Sequence, residues 1–270
     1  MGIMDGKKGI IFGVSNKHGI ANAIAEQIYA QGGEIAFTYA NEAMEKRVKP
    51  IAQEMNSKMC MECDVTKDED VKKVFEEYEK IYGKLDFVIH AVAFANKEDL
   101  MGDFYTTSKE GWDLAMHVSA YSLLTMTKYA KPLMEANGGG SILALTYLGS
   151  TQAVANYNIM GVAKAALESS MRFIANDLGK FNIRCNCLSA GPVKTLAAKG
   201  IGGFDKMLKF NALKAPLNRT PSLEDVGKAG LYLASDLSSG VTGQVQFVDC
   251  GASSVFSSID EMEAMTDSQA

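Results

Sequence analysis

The stretch Lys8–Ile20, with the sequence KGIIFGVSNKHGI, decides the expected fold of this chain. It starts as a short apolar run typical of a buried strand and then turns between Gly13 and Gly19. From Ile20 onward, apolar residues recur at helical spacing. A strand, a glycine-bracketed turn and a helix in this order let a helix N-terminus face a pyrophosphate. We therefore expect Gly13, Gly19 and Ile20 to contact a dinucleotide, although the spacing departs from G-x-G-x-x-G.

The same alternation of strand and helix continues along the chain. Between the apolar runs lie helix-like segments such as Ile20–Gln31, Asp68–Tyr82 and Asn158–Leu178. Because the runs are apolar on both faces, they indicate a parallel sheet covered by helices on each side. The sequence predicts one α/β domain over residues 1–256, a single-domain Rossmann fold with a doubly wound, seven-stranded parallel sheet, and a polar tail over 257–270. The predicted strands are Lys8–Val14, Glu34–Tyr39, Lys58–Val65, Leu85–Ala91, Ser141–Thr146, Ile183–Ser189 and Gln244–Val248.

Composition argues against several classes of protein. The 270 residues carry a formal net charge of −5, which gives no global positive field for binding nucleic acid. The start, MGIMDGKKGIIFGV, lacks the long apolar region of a signal peptide. No apolar run approaches the ~20 residues that span a bilayer. We expect a soluble, cytoplasmic protein with no membrane or nucleic-acid partner.

The five cysteines include a C-x-x-C pair, Cys60 and Cys63. Both fall in a predicted strand, where positions three apart face opposite sides of the sheet. A metal clamp needs both sulfurs on one ion, and a redox pair usually opens a helix. Core packing is therefore favoured over a metal or redox site, and no metal site is predicted.

Three strand ends carry further candidate residues. The second strand ends at Tyr39-Ala40-Asn41, without the Arg or Lys that a 2′-phosphate would require, so NADH is favoured over NADPH. Asp64-Val65 closes the third strand, where the carboxylate either meets an adenine amino group or caps the next helix. His90 closes the fourth strand and is more often a structural histidine than a catalyst; His18 and His117 are interpreted in the same way.

The fifth strand leads to a tyrosine–lysine constellation. Tyr147 follows the strand directly, and Tyr157 precedes Lys164 by seven residues. On a helix, seven residues make about two turns, which puts Tyr157 and Lys164 on one face roughly 10 Å apart. The surrounding residues are mostly apolar, and a buried lysine beside a buried tyrosine is costly unless a ligand satisfies both. The pattern predicts a catalytic pair.

Together these motifs resemble the short-chain dehydrogenase/reductase superfamily, and within it the enoyl-[acyl-carrier-protein] reductases of bacterial type II fatty-acid synthesis. The resemblance covers the chain from Lys7 to about Gly251. Most of the superfamily has Tyr-x3-Lys, an upstream serine and an Asn-Ala-Gly after the fourth strand. This chain has Tyr-x6-Lys, Tyr147 and His90-Ala91-Val92 instead, and these departures point to the enoyl reductases. The residues that carry the resemblance are Gly13, Gly19-Ile20, Asp64-Val65, Tyr147, Tyr157, Lys164, Ser189-Ala190-Gly191-Pro192 with Thr195, and Ser239–Gly243.

The resemblance implies an activity and a set of site residues. NADH would deliver hydride to C3 of a trans-2-enoyl thioester carried by acyl carrier protein, the last step of the elongation cycle, in a homotetramer. Tyr147, Tyr157 and Lys164 would be catalytic, and a mobile lid over about 193–216 would cover the acyl chain. The implied cofactor contacts are Gly13, Gly19, Ile20, Ala40, Asp64, Val65, Val92, Lys164, Val193, Lys194, Thr195, Leu196 and Ala197. The implied substrate contacts are Ala95, Tyr147, Tyr157, Leu196, Ile201, Phe204 and Met207.

The wider tyrosine–lysine spacing has a physical rationale. In a 2-enoyl thioester the hydride enters C3, whereas charge collects on the carbonyl oxygen two carbons away, so the donor must lie farther from the lysine. A carbonyl or 3-oxoacyl reductase using NADPH is the first alternative, and Tyr-x6-Lys speaks against it. A nucleotide-binding protein without catalysis is the second, and the combination of Tyr147, Tyr157 and Lys164 speaks against that.

Overall fold

The computed structural model describes residues 2–195 and 204–256. Within these ranges, seven parallel strands form one sheet in the order β3-β2-β1-β4-β5-β6-β7. The strands are β1 Lys8–Phe12, β2 Glu34–Tyr39, β3 Cys60–Glu62, β4 Phe87–His90, β5 Gly140–Thr146, β6 Ile183–Ala190 and β7 Val245–Val248. This confirms the predicted doubly wound parallel sheet, with every predicted strand present.

Helices cover both faces of this sheet. The α-helices of the described ranges are α1 Ile20–Ala30, α2 Glu42–Glu54, α3 Asp68–Tyr82, α4 Lys97–Leu100, α5 Lys109–Met116, α6 Ser122–Ala136, α7 Asn158–Leu178, α8 Phe204–Lys214 and α9 Leu223–Ala234. One buried apolar cluster joins the sheet to α3, α6 and α7, through residues such as Phe75, Leu123 and Leu167. A second joins its other face to α1, α2 and α9, through Ile24 and Val226 among others. Burial on both faces explains why the strands are continuous apolar runs.

Strand lengths differ from the prediction at the sheet edge. The third strand is only Cys60–Glu62, not Lys58–Val65; it lies at the edge of the sheet and pairs with β2 over these three residues. The order of strands reverses between β1 and β4, which pair with each other. Ligands of doubly wound sheets bind beyond the carboxyl ends of the strands at such a reversal.

Two predicted segments lie wholly or partly outside the described residues. The polar tail, 257–270, is outside them, as is the central part of the predicted lid, 196–203. The later part of the lid is described as α8, an 11-residue helix.

Candidate active site

A cavity of about 1000 Å³ opens at the carboxyl edge of the sheet. Residues that follow six of the strands line it, from β1 through β6. They include Gly13, Ala40, Asp64, Val92, Tyr147 and Gly191, one after each strand in turn. The cavity therefore occupies the position that the reversal of strand order predicts for a nucleotide.

The turn after β1 is shaped for close approach of a ligand. Gly13 has φ +94°, and a Cβ there would lie 2.3 Å from the carbonyl oxygen of Ala91. Gly19 is the N-cap of α1 and offers no side chain to the free N–H groups, and the first turn holds no acidic residue. These N–H groups are consequently available to an anion at the helix N-terminus. The turn fits a pyrophosphate.

The ends of β2 and β3 form the other wall of this part of the cavity. Ala40 is exposed, and Asn41 caps α2 by accepting a hydrogen bond from the backbone N–H of Met44 at 3.2 Å. Asp64 Oδ1 accepts hydrogen bonds from the backbone N–H and the hydroxyl of Thr66, at 3.0 and 2.7 Å. The N-cap of α3 is Lys67, so Asp64 does not cap that helix.

The charge of Asp64 is stabilised locally. Burial on its own raises the pKa of this carboxyl, but hydrogen bonds from Thr66 and the ammonium of Lys67 lower it below the usual value. The side chain is an acceptor at the cavity wall, which suits an amino group of a bound adenine.

Tyr147 and Tyr157 meet in the part of the cavity nearest β5. Their ring centroids are 5.0 Å apart, with the ring planes at 73°. Gly149 permits this arrangement, because a Cβ there would lie 2.6 Å from the Tyr157 ring. Burial raises the pKa of both phenols, and the neighbouring Tyr147 adds to the effect at Tyr157. Both groups are therefore protonated hydrogen-bond donors at physiological pH.

The start of α7 agrees with the predicted helical segment Asn158–Leu178. Tyr157 is the N-cap of α7 and not a residue within the helix, which begins at Asn158. Asn156 and Asn158, on either side of it, have positive φ angles of 60° and 26°. Tyr157 itself has αR backbone angles, its carbonyl oxygen accepts a hydrogen bond from the backbone N–H of Gly161, and both Tyr157 and Lys164 line the cavity.

Lys164 is buried in α7, with 4% of its surface exposed. Its Nζ donates one hydrogen bond, of 2.7 Å, to the carbonyl oxygen of Leu145. An ammonium has three hydrogen-bond donors, so two remain unused in Lys164. Within the described ranges, no carboxylate lies within ion-pair distance of the Lys164 ammonium. Burial lowers the pKa of Lys164 to about 8. A buried cation with unused donors facing a cavity fits a ligand that offers hydroxyl groups, such as a ribose.

His90 lies behind the cavity and does not line it. It is fully buried, and its Nε2 lies 2.7 Å from the hydroxyl of Ser122. Because that hydroxyl donates to the carbonyl oxygen of Val118, the histidine nitrogen is the donor of the pair. Burial lowers the pKa of His90 to about 3, so the ring is neutral.

The cysteine pair is protonated. Burial raises the pKa of Cys60 to about 11 and that of Cys63 to about 12. A thiol is a weak metal ligand and a weak nucleophile compared with its thiolate. In the described part of the chain, no group of three or more His, Cys, Asp or Glu residues is placed to hold a metal ion.

The structure brings most of the predicted site residues together, but not all of them. Lys194 is exposed outside the cavity lining, and Ala95 does not line the cavity either. Leu196, Ala197 and Ile201 lie outside the described residues, and Phe204 is described only as the first residue of α8. The predicted residues that line the cavity are Gly13, Gly19, Ile20, Ala40, Asp64, Val65, Val92, Tyr147, Tyr157, Lys164, Val193, Thr195 and Met207.

Sequence reasoning missed one wall of the cavity. Leu114, on α5, and Val118, on a π-helical turn over His117–Tyr121, both line it. In the same turn, the Ser119 hydroxyl accepts a 3.0 Å hydrogen bond from the backbone N–H of Phe94, another lining residue. The hydrophobic pattern gives no signal for a π-turn, which disrupts the helical spacing over only five residues.

Comparisons with known proteins agree with this geometry. The profile of a family described as enoyl-(acyl carrier protein) reductase matches residues 13–253. The chain belongs to this family. An enoyl-[acyl-carrier-protein] reductase [NADH] of Rhizobium meliloti is 50% identical over 250 residues, which cover 93% of this chain and 91% of the relative. One from Rickettsia conorii is 48% identical over 93% of this chain and 95% of its own.

A solved enoyl reductase extends the agreement to three dimensions. The crystal structure of the Anaplasma phagocytophilum enzyme, in complex with NAD, is 46% identical to this chain. It superposes with a TM-score of 0.91 over 95% of this chain and 98% of its own. Membership of the enoyl reductase family confirms the resemblance drawn from the motifs. None of the helices in the described ranges is long and apolar enough to cross a membrane.

Proposed function

We propose that this protein is a cytoplasmic enoyl-[acyl-carrier-protein] reductase that uses NADH to reduce a trans-2-enoyl thioester to the saturated acyl thioester. This would be the last step of the type II fatty-acid elongation cycle. The observation that carries the proposal is the convergence of Tyr147, Tyr157 and Lys164 on one large cavity at the reversal of strand order. The named relatives, which are NADH-dependent enoyl reductases, support the same substrate class and the same cofactor.

NADH would be held along the carboxyl edge of the sheet. Gly13 and the α1 N-terminus would bind its pyrophosphate, and Asp64 would accept from the adenine amino group. Lys164 would donate to the ribose next to the nicotinamide. When bound, the cofactor supplies the hydride for C3 of the substrate. The absence of Arg and Lys directly after β2 supports NADH over NADPH.

Tyr157 would stabilise the charge that forms on the thioester carbonyl oxygen. Its protonated hydroxyl can donate to that oxygen as the enolate develops, an interaction stronger in the transition state than in the ground state. Protonation at C2 then completes the reduction. Tyr147, whose hydroxyl already donates to Met207 Sδ at 3.7 Å, would orient the thioester and line the acyl pocket with α8.

Residues 193–216 would act as the lid of the acyl site. Met207 of α8 lines the cavity, and the exposed lysines Lys206 and Lys209 lie on the same helix. Positive side chains at this entrance would steer an acidic carrier protein despite the negative net charge of the chain.

A homotetramer is the assembly that we propose. Large apolar side chains remain exposed on the outer side of α6 and α7, including Phe173 at 70% and Leu124 at 40%. Exposed apolar side chains that lie together mark subunit interfaces, and in the proposed tetramer these would form one. Light scattering after gel filtration should give four times the chain mass, and Phe173→Glu should lower it. A monomeric mass for the wild-type protein would reject the tetramer.

One assay tests the proposed activity. NADH consumption should follow addition of crotonyl-CoA or a crotonyl-carrier protein, whereas acetoacetyl-CoA with NADPH should give little turnover. The opposite result would identify a 3-oxoacyl reductase. If the protein binds NADH but oxidises neither cofactor, the result would identify a nucleotide-binding protein without catalytic activity.

A further inference from the structure

The carboxyl end of β5 is attached to α7 by two hydrogen bonds in succession. Lys164 Nζ donates to the carbonyl oxygen of Leu145 at 2.7 Å. The hydroxyl of the next residue, Thr146, donates to Glu168 Oε1 at 2.6 Å. Lys164 and Glu168 lie four residues apart on α7, hence on one face of the helix. Tyr147 follows Thr146 directly, so the same two hydrogen bonds fix the position of the Tyr147 backbone.

Glu168 lies in an environment that is unusual for a carboxylate. Only 5% of its surface is exposed, and Thr146, its hydrogen-bond partner, is equally buried. Within the described ranges, no Lys or Arg nitrogen lies within 4.0 Å of its oxygens. Burial of a carboxylate is unfavourable unless another charge or several hydrogen bonds compensate for it. Lys164 and Arg172 each lie four residues from Glu168 on α7, but Arg172 is exposed to solvent, whereas Lys164 is buried like Glu168.

Two titratable groups close to Lys164, on the neighbouring strands β4 and β6, are neutral. His90 on β4 has a pKa lowered to about 3 by burial, and Cys187 on β6 has one raised to about 12, also by burial. Arg172 lies two turns beyond Lys164 on α7, and its positive charge lowers the pKa of Cys187, an effect smaller than that of burial. Burial lowers the pKa of Lys164 to about 8, and Cys187 and Glu168 act in the opposite direction. With the thiol and the imidazole neutral at physiological pH, Glu168 is the acidic side chain that raises the pKa of Lys164.

We infer that Glu168 is a positioning residue, oriented by the Thr146 hydroxyl, that keeps the buried Lys164 charged and directed at the nicotinamide side of the cavity. It does not reach the cavity lining, so it acts through Lys164 and the end of β5. The inference rests on the proposed function, in which the Lys164 ammonium binds the cofactor ribose.

The test compares NADH binding by four full-length variants across a range of pH. Glu168→Gln removes the charge with little change in shape, and Glu168→Asp keeps the charge on a shorter side chain. Thr146→Val removes the hydroxyl that orients the carboxylate, and Thr146→Ser retains it. Asp177→Asn is the matched control, because it removes one carboxylate from the exposed side of α7. Asp177 lies about 20 Å from Lys164 along the helix axis.

We expect Glu168→Gln to lose NADH affinity in a pH-dependent way. Without the carboxylate, the pKa of Lys164 falls further. For a decrease of one pH unit, NADH affinity should fall about fivefold at pH 8, approach a tenfold loss at higher pH, and change little near pH 6. Glu168→Asp should restore most of the wild-type profile. Thr146→Val should shift the profile in the same direction by a smaller factor, whereas Thr146→Ser and Asp177→Asn should match the wild type.

Two results would overturn the inference. One is a Glu168→Gln protein with the wild-type pH profile, and the other is an equal loss of affinity at every pH together with a lower melting temperature, which indicates a packing role. If Glu168→Gln does not fold, Thr146→Val decides, and an unchanged profile there rejects the inference. Wild-type turnover of crotonyl-CoA, measured alongside, separates failure of the inference from failure of the proposed function.

Discussion

The ring of Tyr147 meets the ring of Tyr157 edge-on, with centroids 5.0 Å apart. The two phenols are not equivalent, because the Tyr147 hydroxyl donates to Met207 Sδ. The Tyr157 hydroxyl makes no hydrogen bond to another residue in the described ranges. A half-buried donor that no described residue engages is available to a substrate oxygen. One tyrosine of the pair is therefore hydrogen-bonded to α8, and the other is the one that would donate to the substrate in the proposed function.

Tyr157→Phe should reduce kcat by roughly 10²–10³-fold, the loss expected when one donor to a developing oxyanion is removed. NADH affinity should change little, because the hydroxyl acts on the thioester and not on the cofactor. Steady-state kinetics with crotonyl-CoA and NADH titration by fluorescence measure the two effects. Tyr232→Phe, on α9 and away from the cavity, is the control. Equal kcat for Tyr157→Phe and the wild type would remove Tyr157 from the mechanism.

NADH binding should weaken as the pH rises through about 8, the value to which burial lowers the pKa of Lys164. The sign follows from the charge: the ammonium is present below this pKa and is lost above it, and the ligand needs the charged form. Each further pH unit lowers the charged fraction about tenfold. Lys164→Met should lower the affinity at neutral pH and remove this pH dependence, as titrations across the range would show. A wild-type affinity that stays constant up to pH 10 would contradict this role.

Gly13→Ala should damage both folding and cofactor binding. The residue has φ +94°, and the new Cβ would lie 2.3 Å from the Ala91 carbonyl oxygen. This oxygen belongs to the backbone of the neighbouring strand end, so its displacement would destabilise the fold. The strained φ alone costs ~1–3 kcal/mol. Gly240→Ala is the control, because no atom lies within 4 Å of its Cβ position. Melting temperatures and NADH titrations of both variants test the prediction, and equal values would show that the turn adapts.

The sheet was predictable from sequence because strands buried on both faces must be apolar throughout, as Ile10–Phe12 and Val88–Ile89 are. The glycine turn and the tyrosine–lysine pair were also predictable, since each needs particular residue types at fixed positions. The positive φ angles of Asn156 and Asn158 were not, because such backbone angles leave no hydrophobic pattern in the sequence. The contact of Tyr147 with Met207 was also beyond prediction as a contact, since the two residues are 60 positions apart.

Ala40→Arg should shift cofactor preference towards NADPH. Ala40 is exposed at the end of β2 and lines the cavity, where a guanidinium can reach a phosphate on the adenosine ribose. A hydrogen bond to a charged group contributes ~1.5–3 kcal/mol, which corresponds to roughly a 10- to 100-fold gain in kcat/KM for NADPH. Ala40→Met has similar length without charge and should give no such gain, and kcat/KM for NADH should stay within a few-fold of the wild type in both. An equal gain for both cofactors would mean that the arginine binds the shared pyrophosphate, and no gain for NADPH would place the ribose away from the end of β2.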